Sequence, residues 1–334
     1  MRSHVIILGN GFDVYLNRPT KYSEFYDSEF CPKHYPAPLI NYLNGFSEDG
    51  KAEMVRWYDF ENHLLEYCES KFFKKEPLLY EEKEVIKYLQ KQSSSFSRSD
   101  LQFTIRDRGF YDAFVPFSQK GFIKPDENGQ KYVLAFDSFD DDVIKRDLYA
   151  FSLIKKGLIS YLKAKANDVI DEAKYPLIFL KEKNIEVFSF NHTTIPLVDK
   201  INTNYVHGSC AGGNIIIGTR EGQFNKDYWF LQKVFDPNYH PSNVSIALLD
   251  AEKVTIFGHS LGVNDRQYFQ AFFRRQCDAE KARMKMQINI YTYDDDSVKE
   301  IKHSLQELTD YHLSDLFQYS ALQIITTKNL QKKL

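Results

Sequence analysis

Four short stretches carry residue types that can do chemistry. Gly9-Asn10-Gly11-Phe12-Asp13 follows the apolar run Val5-Ile6-Ile7-Leu8. Glycines at the end of a buried strand let backbone N–H groups approach a phosphate, so this is a candidate nucleotide loop. The third glycine of the dinucleotide fingerprint is missing, because position 14 is valine, and an ordinary tight turn is the alternative. Ser189-Phe190-Asn191-His192-Thr193-Thr194 ends a second apolar run. Its polar groups would line the same crevice; a capped helix start is the other reading. His207, in Val206-His207-Gly208-Ser209, is a side chain able to exchange protons near neutral pH, or a structural histidine at a strand end. Gly258-His259-Ser260-Leu261-Gly262 matches G-x-S-x-G after a strand, the elbow of serine hydrolases. Ser260 would then be the nucleophile, with an acid from Asp294, Asp295 or Asp296 and His303 or His312 as base. Only 74 of the 334 residues follow Ser260, and no H-G-G-G segment stands upstream; both count against that chemistry.

Elements must hold these stretches together. The continuous β-branched run Val5–Leu8 predicts a buried strand, and further strands are expected at Ile185–Phe190, Tyr205–Val206, Ile215–Ile217, Val254–Phe257, Gln287–Tyr293 and Leu322–Thr326. Helical spacing predicts a helix capped by Thr20, then helices over Met54–Phe73, Val85–Leu89 and Asp142–Ile170. The last puts Leu148, Phe151, Leu158 and Leu162 on one face. Further helices are expected over Asp265–Ala282 and Ser297–Leu308. Residues 93–112 read as a loop or insertion, and 116–138 show no clear periodicity. The alternation of strands and helices predicts an α/β fold: a Rossmann-like, mostly parallel sheet with helices on both faces. A large, mainly helical insertion follows the first strand. The expected division is a nucleotide-binding core of residues 1–39 and 184–334 around an insertion of residues 40–183.

Bulk properties narrow the function. The net charge of -3 creates no general attraction to nucleic acid or anionic membranes, so neither is expected as a partner. Cys31, Cys68, Cys210 and Cys277 form no C-x-x-C pair, which argues against a zinc cage and for a reducing compartment. No apolar run reaches the length of a membrane span, and the expected location is cytoplasmic. The acidic runs Asp140–Asp142 and Asp294–Asp296 do not make a metal site, since three successive residues cannot all face one ion. At helix N-termini they complement the dipole. With 27 Phe and 22 Tyr, aromatic packing between helices should be extensive.

Taken together, the motifs resemble the AbiH family of bacterial abortive-infection proteins. The resemblance rests on Ile7-Leu8-Gly9-Asn10-Gly11-Phe12-Asp13, on Thr20 with Tyr22 and Phe25, and on Trp57-Tyr58-Asp59-Phe60-Glu61. It extends to Phe190-Asn191-His192-Thr193, Val206-His207-Gly208 and Phe257-Gly258-His259-Ser260-Leu261-Gly262 with Asp265. It implies a role in defence against phage. The ordered set is also distantly similar to sirtuin-like NAD-binding domains. That similarity implies NAD as substrate or ligand, with Gly9, Asn10, Gly11 and Phe12 toward the phosphates. Asn191 and His207 would flank the nicotinamide ribose, and Gly208, Gly258, His259, Ser260 and Asp265 would contact the nucleotide. Asp13 would anchor a ribose hydroxyl or stabilise positive charge. Thr193 departs from that pattern, in which an acid is usual, and the zinc module of deacetylases is absent. Hydrolysis of the nicotinamide–ribose bond is therefore the expected chemistry, without a metal. A homo-oligomer or a partner protein of a defence system is also implied. Two alternatives stand beside it: a nucleotide-sensing module without catalysis, and a serine hydrolase using Ser260.

Overall fold

The computed structural model describes residues 4–48, 57–70, 79–80, 121–125, 132–136, 141–166, 184–194, 203–221, 226–240, 243–280, 282 and 286–328. Its strands are β1 (His4–Leu8), β2 (Leu79–Tyr80), β3 (Gly121–Pro125), β4 (Tyr132–Phe136), β5 (Ile185–Ser189), β6 (Thr203–Tyr205), β7 (Lys253–Phe257), β8 (Gln287–Thr292) and β9 (Ala321–Thr326). Its α-helices are α1 (Asn10–Tyr15), α2 (Tyr22–Tyr26), α3 (Pro38–Glu48), α4 (Trp57–Ser70), α5 (Asp141–Tyr161), α6 (Val244–Asp250), α7 (Arg266–Gln276), α8 (Asp295–Leu308) and α9 (Leu313–Tyr319).

Six strands form one sheet in the order β6-β5-β1-β7-β8-β9, and every neighbouring pair is parallel. Numbered within the sheet alone, this order is 3-2-1-4-5-6. It reverses between β1 and β7. In open α/β sheets the ligand crevice lies beyond the carboxyl ends of the strands at such a reversal. The fold is thus α/β and Rossmann-like.

β1 shows why its sequence makes a central strand. All five of its residues are buried, because helices cover both faces. Val5 and Ile7 join a cluster with Leu248, Phe269, Phe272, Leu305 and Leu316, supplied by α6 to α9. Ile6 and Leu8 point the other way, to Phe12, Leu16 and Phe257. This is the two-residue period of a strand. Each such side chain, fully buried, contributes about 1.5–3 kcal/mol. His4 is satisfied within the sheet, its Nε2 lying 2.8 Å from the Thr255 hydroxyl.

A third cluster gathers Tyr22 and Phe25 with α3, α4, α5 and the side chains of Tyr228, Phe230 and Leu231. Here the aromatic excess finds its use. Tyr22 stacks on Phe60 at 4.4 Å, and Phe25 meets Tyr161 at 5.7 Å. One buried carboxylate organises this cluster. Asp147 accepts hydrogen bonds from the Tyr67 and Tyr228 hydroxyls and from the Leu39 amide in the first turn of α3.

Several expectations are corrected. Ile215 to Ile217 are buried but form no strand; they run irregularly into the bridge between Thr219 and Gln232. Residues 121–125 and 132–136, read as aperiodic, pair as antiparallel strands with β2 on their far side. Leu148 is exposed, because the buried face of α5 runs through Asp147, Ala150, Phe151, Ile154, Leu158 and Tyr161. A wider turn at Leu162–Ala166 follows that helix, and residues 167–170 lie outside the described chain. So do Val85–Leu89 and residues 93–112. Thr20 does not cap α2: its hydroxyl donates to the Asn10 side chain at 2.8 Å, and Lys21 holds the cap position. α3, α6 and α9 lie outside the expected helices. Asp294 caps α8 by accepting from the Ser297 amide, with Asp295 and Asp296 in the first turn. Among the described residues no helix is long and apolar enough to cross a membrane.

Candidate functional site

The strand-end loops of β1, β5 and β7 meet at the sheet reversal. The Phe190 amide donates to the Leu8 carbonyl at 2.8 Å, which fixes the chain just before Asn191 beside Gly9. The Gly9 and Gly11 amides donate to the Phe257 and Gly258 carbonyls at 2.9 Å, and the Phe12 amide to the Gly9 carbonyl. A Cβ on Gly9 would lie 2.5 Å from the His259 Cα, and one on Gly258 only 2.3 Å from the Phe12 nitrogen. Gly258 also sits at a φ of 65°, where other residues are strained. The glycines therefore let two backbones pack face to face. Of the four residues expected toward the phosphates, Gly9, Gly11 and Phe12 donate their amides to the protein's own carbonyls instead. Phe12 belongs to the core, edge-on to Phe257 at 5.1 Å.

Asp13 is also turned inward. Its carboxylate lies 3.4 Å from Arg18 and accepts from the Thr193 hydroxyl at 2.5 Å. This bond explains Thr193: a hydroxyl donor stands where an acid would have repelled Asp13. Burial pushes the Asp13 carboxyl up to about 6, opposed by Arg18 and Thr193. An acid whose pKa rises on folding binds its proton more tightly in the folded state. Its stabilising effect is full below the ordinary 3.8 and is lost as pH rises through about 6. The melting temperature of the wild type minus that of Asp13→Asn should therefore fall between pH 4 and pH 7. The change corresponds to roughly 3 kcal/mol. A difference that stays flat across this range removes the assignment.

Across from this turn stands a buried cluster of charge. After Gly258 the chain winds back on itself, and the Asp265 amide donates to the Gly262 carbonyl at 3.2 Å. This brings Asp265 to 3.3 Å from His259 Nε2 and 3.5 Å from His207 Nε2. His259 Nδ1 accepts from the Leu261 amide at 2.9 Å, so its proton sits on Nε2, facing Asp265. Lys233 lies 3.6 Å from Asp265 and 2.7 Å from Glu61 of α4. The Thr219–Gln232 bridge aims Lys233 inward: the Thr219 amide donates to the Leu231 carbonyl and the Lys233 amide to the Thr219 carbonyl. Asn264 and Asn62 join across the same seam at 3.4 Å.

The two carboxylates differ in character. Burial raises Glu61 to about 7, with Lys233 opposing. Burial also works against Asp265, but Lys233, then His207 and His259, hold it well below the usual carboxylate range. Burial and the Lys233 charge push His207 well below 6.5, leaving a neutral imidazole. The same two causes push neighbouring His192 down to about 4. An ionised acid, a neutral base and a proton-sharing carboxyl within one buried cluster is the division of labour that acid–base chemistry uses.

Asn191 is 4% exposed, and neither its amide oxygen nor its nitrogen has a hydrogen-bond partner. Each such orphan costs about 1–3 kcal/mol, and a bound ligand or water would relieve it. Phe190 packs the base of the site, its ring 5.3 Å from His207 and 4.5 Å from His259. Of the expected residues, His207 and His259 thus meet at Asp265, the His259 backbone lies against Gly9, and Asn191 follows Phe190, whose ring packs on both histidines. Gly208, at a φ of 69°, holds the next loop against the Asn214 carbonyl. Asn10 is tied to Thr20.

Ser260 is exposed, and no hydrogen bond joins it to a histidine. His303 pairs with Glu307, His312 with Asp315, and Asp294 with Ser297. The serine-hydrolase triad is not assembled among the described residues. Glu61, Lys233 and Asn264 are the residues that motif reading passed over. Glu61 had a signal, as the last member of the aromatic-acid segment; Lys233 had none.

No curated protein and no solved structure matches the chain. A family model described as bacteriophage abortive infection AbiH matches residues 5–288, a span that contains every residue of the charged cluster. The chain therefore belongs to the AbiH family of bacteriophage abortive-infection proteins.

Proposed function

We propose that this AbiH protein acts in phage defence by hydrolysing the nicotinamide–ribose bond of NAD. The observation that carries the reading is Asn191: a buried amide with both ends unpartnered, directly after Phe190, whose ring packs on His207 and His259. The sheet order supports it, since nucleotides are bound at this reversal in Rossmann-like sheets.

The chemistry needs little covalent machinery. The C1′–N1 bond breaks, and its electron pair goes to the nicotinamide nitrogen, leaving a cationic ribose. When ionised, Glu61 and Asp265 outweigh the single charge of Lys233, so the cluster favours that cation. Asn191 orients water and the ribose hydroxyls. Water adds to C1′, and His207 takes its proton. The products are nicotinamide, ADP-ribose and a proton. The glycine loop contributes by shaping the crevice wall, and Asp13 by holding Thr193 and the turn. Loss of a shared cofactor would halt an infected cell.

The test is made in phage-challenged cells. NAD should fall with the wild type and hold with Asn191→Ala and His207→Ala, expressed at equal levels. Equal NAD loss in all three sinks this reading. The burial of Asn191, His207 and Lys233 favours one second reading, a sensing module that binds nucleotide without turnover. Calorimetric binding of NAD with no product formed would select it.

A further inference from the structure

A groove of about 430 Å³ runs along β5 and the edge strand β6. Phe188 and Ile216 give it an apolar floor, and Glu186, Asn204, Asn214 and Asn243 are among its polar walls. Val206 and Gly208 also line it, so it touches the residues on either side of His207.

The lining specifies a kind of ligand. It contains no lysine or arginine, and Glu186 adds negative charge, so it is not built for phosphate. Asparagine amides offer uncharged donors and acceptors side by side. A heterocyclic base presents the same alternation on its edge and apolar surface on its faces, and adenine pairs with an asparagine amide through two hydrogen bonds. The amides are available. Asn243 stands before α6 without making a capping bond. Asn214 uses its oxygen to accept from the Ser209 amide at 3.1 Å, which leaves its nitrogen to donate. The volume falls in the lower part of the range of small-molecule pockets and suits a nucleoside.

We propose that this groove seats a purine nucleoside. Resting on the function proposed above, that nucleoside is the adenosine half of the substrate whose other half meets His207. The test is calorimetry of the full chain with adenosine as the probe. Adenosine should bind the wild type. The double variant Asn204→Ala/Asn243→Ala should bind it at least tenfold more weakly, about 1.4 kcal/mol. No binding at millimolar adenosine, equal affinity in the double variant, or equally tight binding of ribose or cytidine overturns the assignment. Adenosine binding by a protein that leaves NAD intact in every condition overturns the hydrolase alone. NAD cleavage without adenosine binding overturns the groove alone.

Discussion

Asp265→Asn should slow NAD hydrolysis by about a hundred- to a thousandfold, the usual effect of deleting one preorganised electrostatic contact. Among the described residues, Asp265 alone lies within ion-pair distance of Lys233, His207 and His259 together. Asparagine preserves the shape and removes the charge. The loss should appear in kcat, with KM nearly unchanged, because the charge matters most when the ribose becomes cationic. The fold should persist, since Lys233 keeps Glu61 as a partner at 2.7 Å. A variant within threefold of wild-type kcat would remove Asp265 from the chemistry and leave it a structural hub.

The largest loss of stability should come from a residue that touches no site. Asp147→Ala strips the acceptor from two buried hydroxyls and one helix amide. At about 1–3 kcal/mol for each of the three groups left unsatisfied, the total is roughly 3–9 kcal/mol. Thermal melting should fall by about 10 °C or more. Tyr67→Phe removes only one of these bonds and should cost far less. A drop below about 1 kcal/mol in Asp147→Ala would mean that water replaces the carboxylate without cost.

The sheet was largely legible in the sequence, and for a physical reason. A parallel strand covered on both faces is dominated by apolar residues, as Val5–Leu8 of β1 is, while β7 and β8 keep an apolar majority around Thr255 and Asn289. The same rule misled at Ile215–Ile217. Three buried isoleucines satisfy it equally well when they pack as irregular chain behind Lys233. Leu148 misled because a helix periodicity drawn through apolar residues ignored Asp147, a buried carboxylate on the true inner face. Residues 121–136 hid a hairpin because their proline, glycine and asparagine read as loop.

The site was legible in part. Asn191, His207, His259 and Asp265 lie in strand-end motifs, where topology dictates convergence. Glu61 and Lys233 lie far apart in the chain, and neither sits at the end of a strand of the parallel sheet. Their pairing is a product of tertiary packing, through the stacking of Tyr22 on Phe60 and the backbone bridge at Thr219. The glycine loop shows the reverse. Its glycines were expected to admit a phosphate; what they admit is the backbone at Gly258 and His259.

Purified wild-type protein incubated with NAD, with products quantified by mass spectrometry, puts the cluster's chemistry to the most direct trial. Nicotinamide and ADP-ribose should accumulate in equal amounts, and Asn191→Ala and Asp265→Asn should release neither above background. Intact NAD throughout, in protein activated by phage lysate as well as alone, or equal release by both variants, would contradict it.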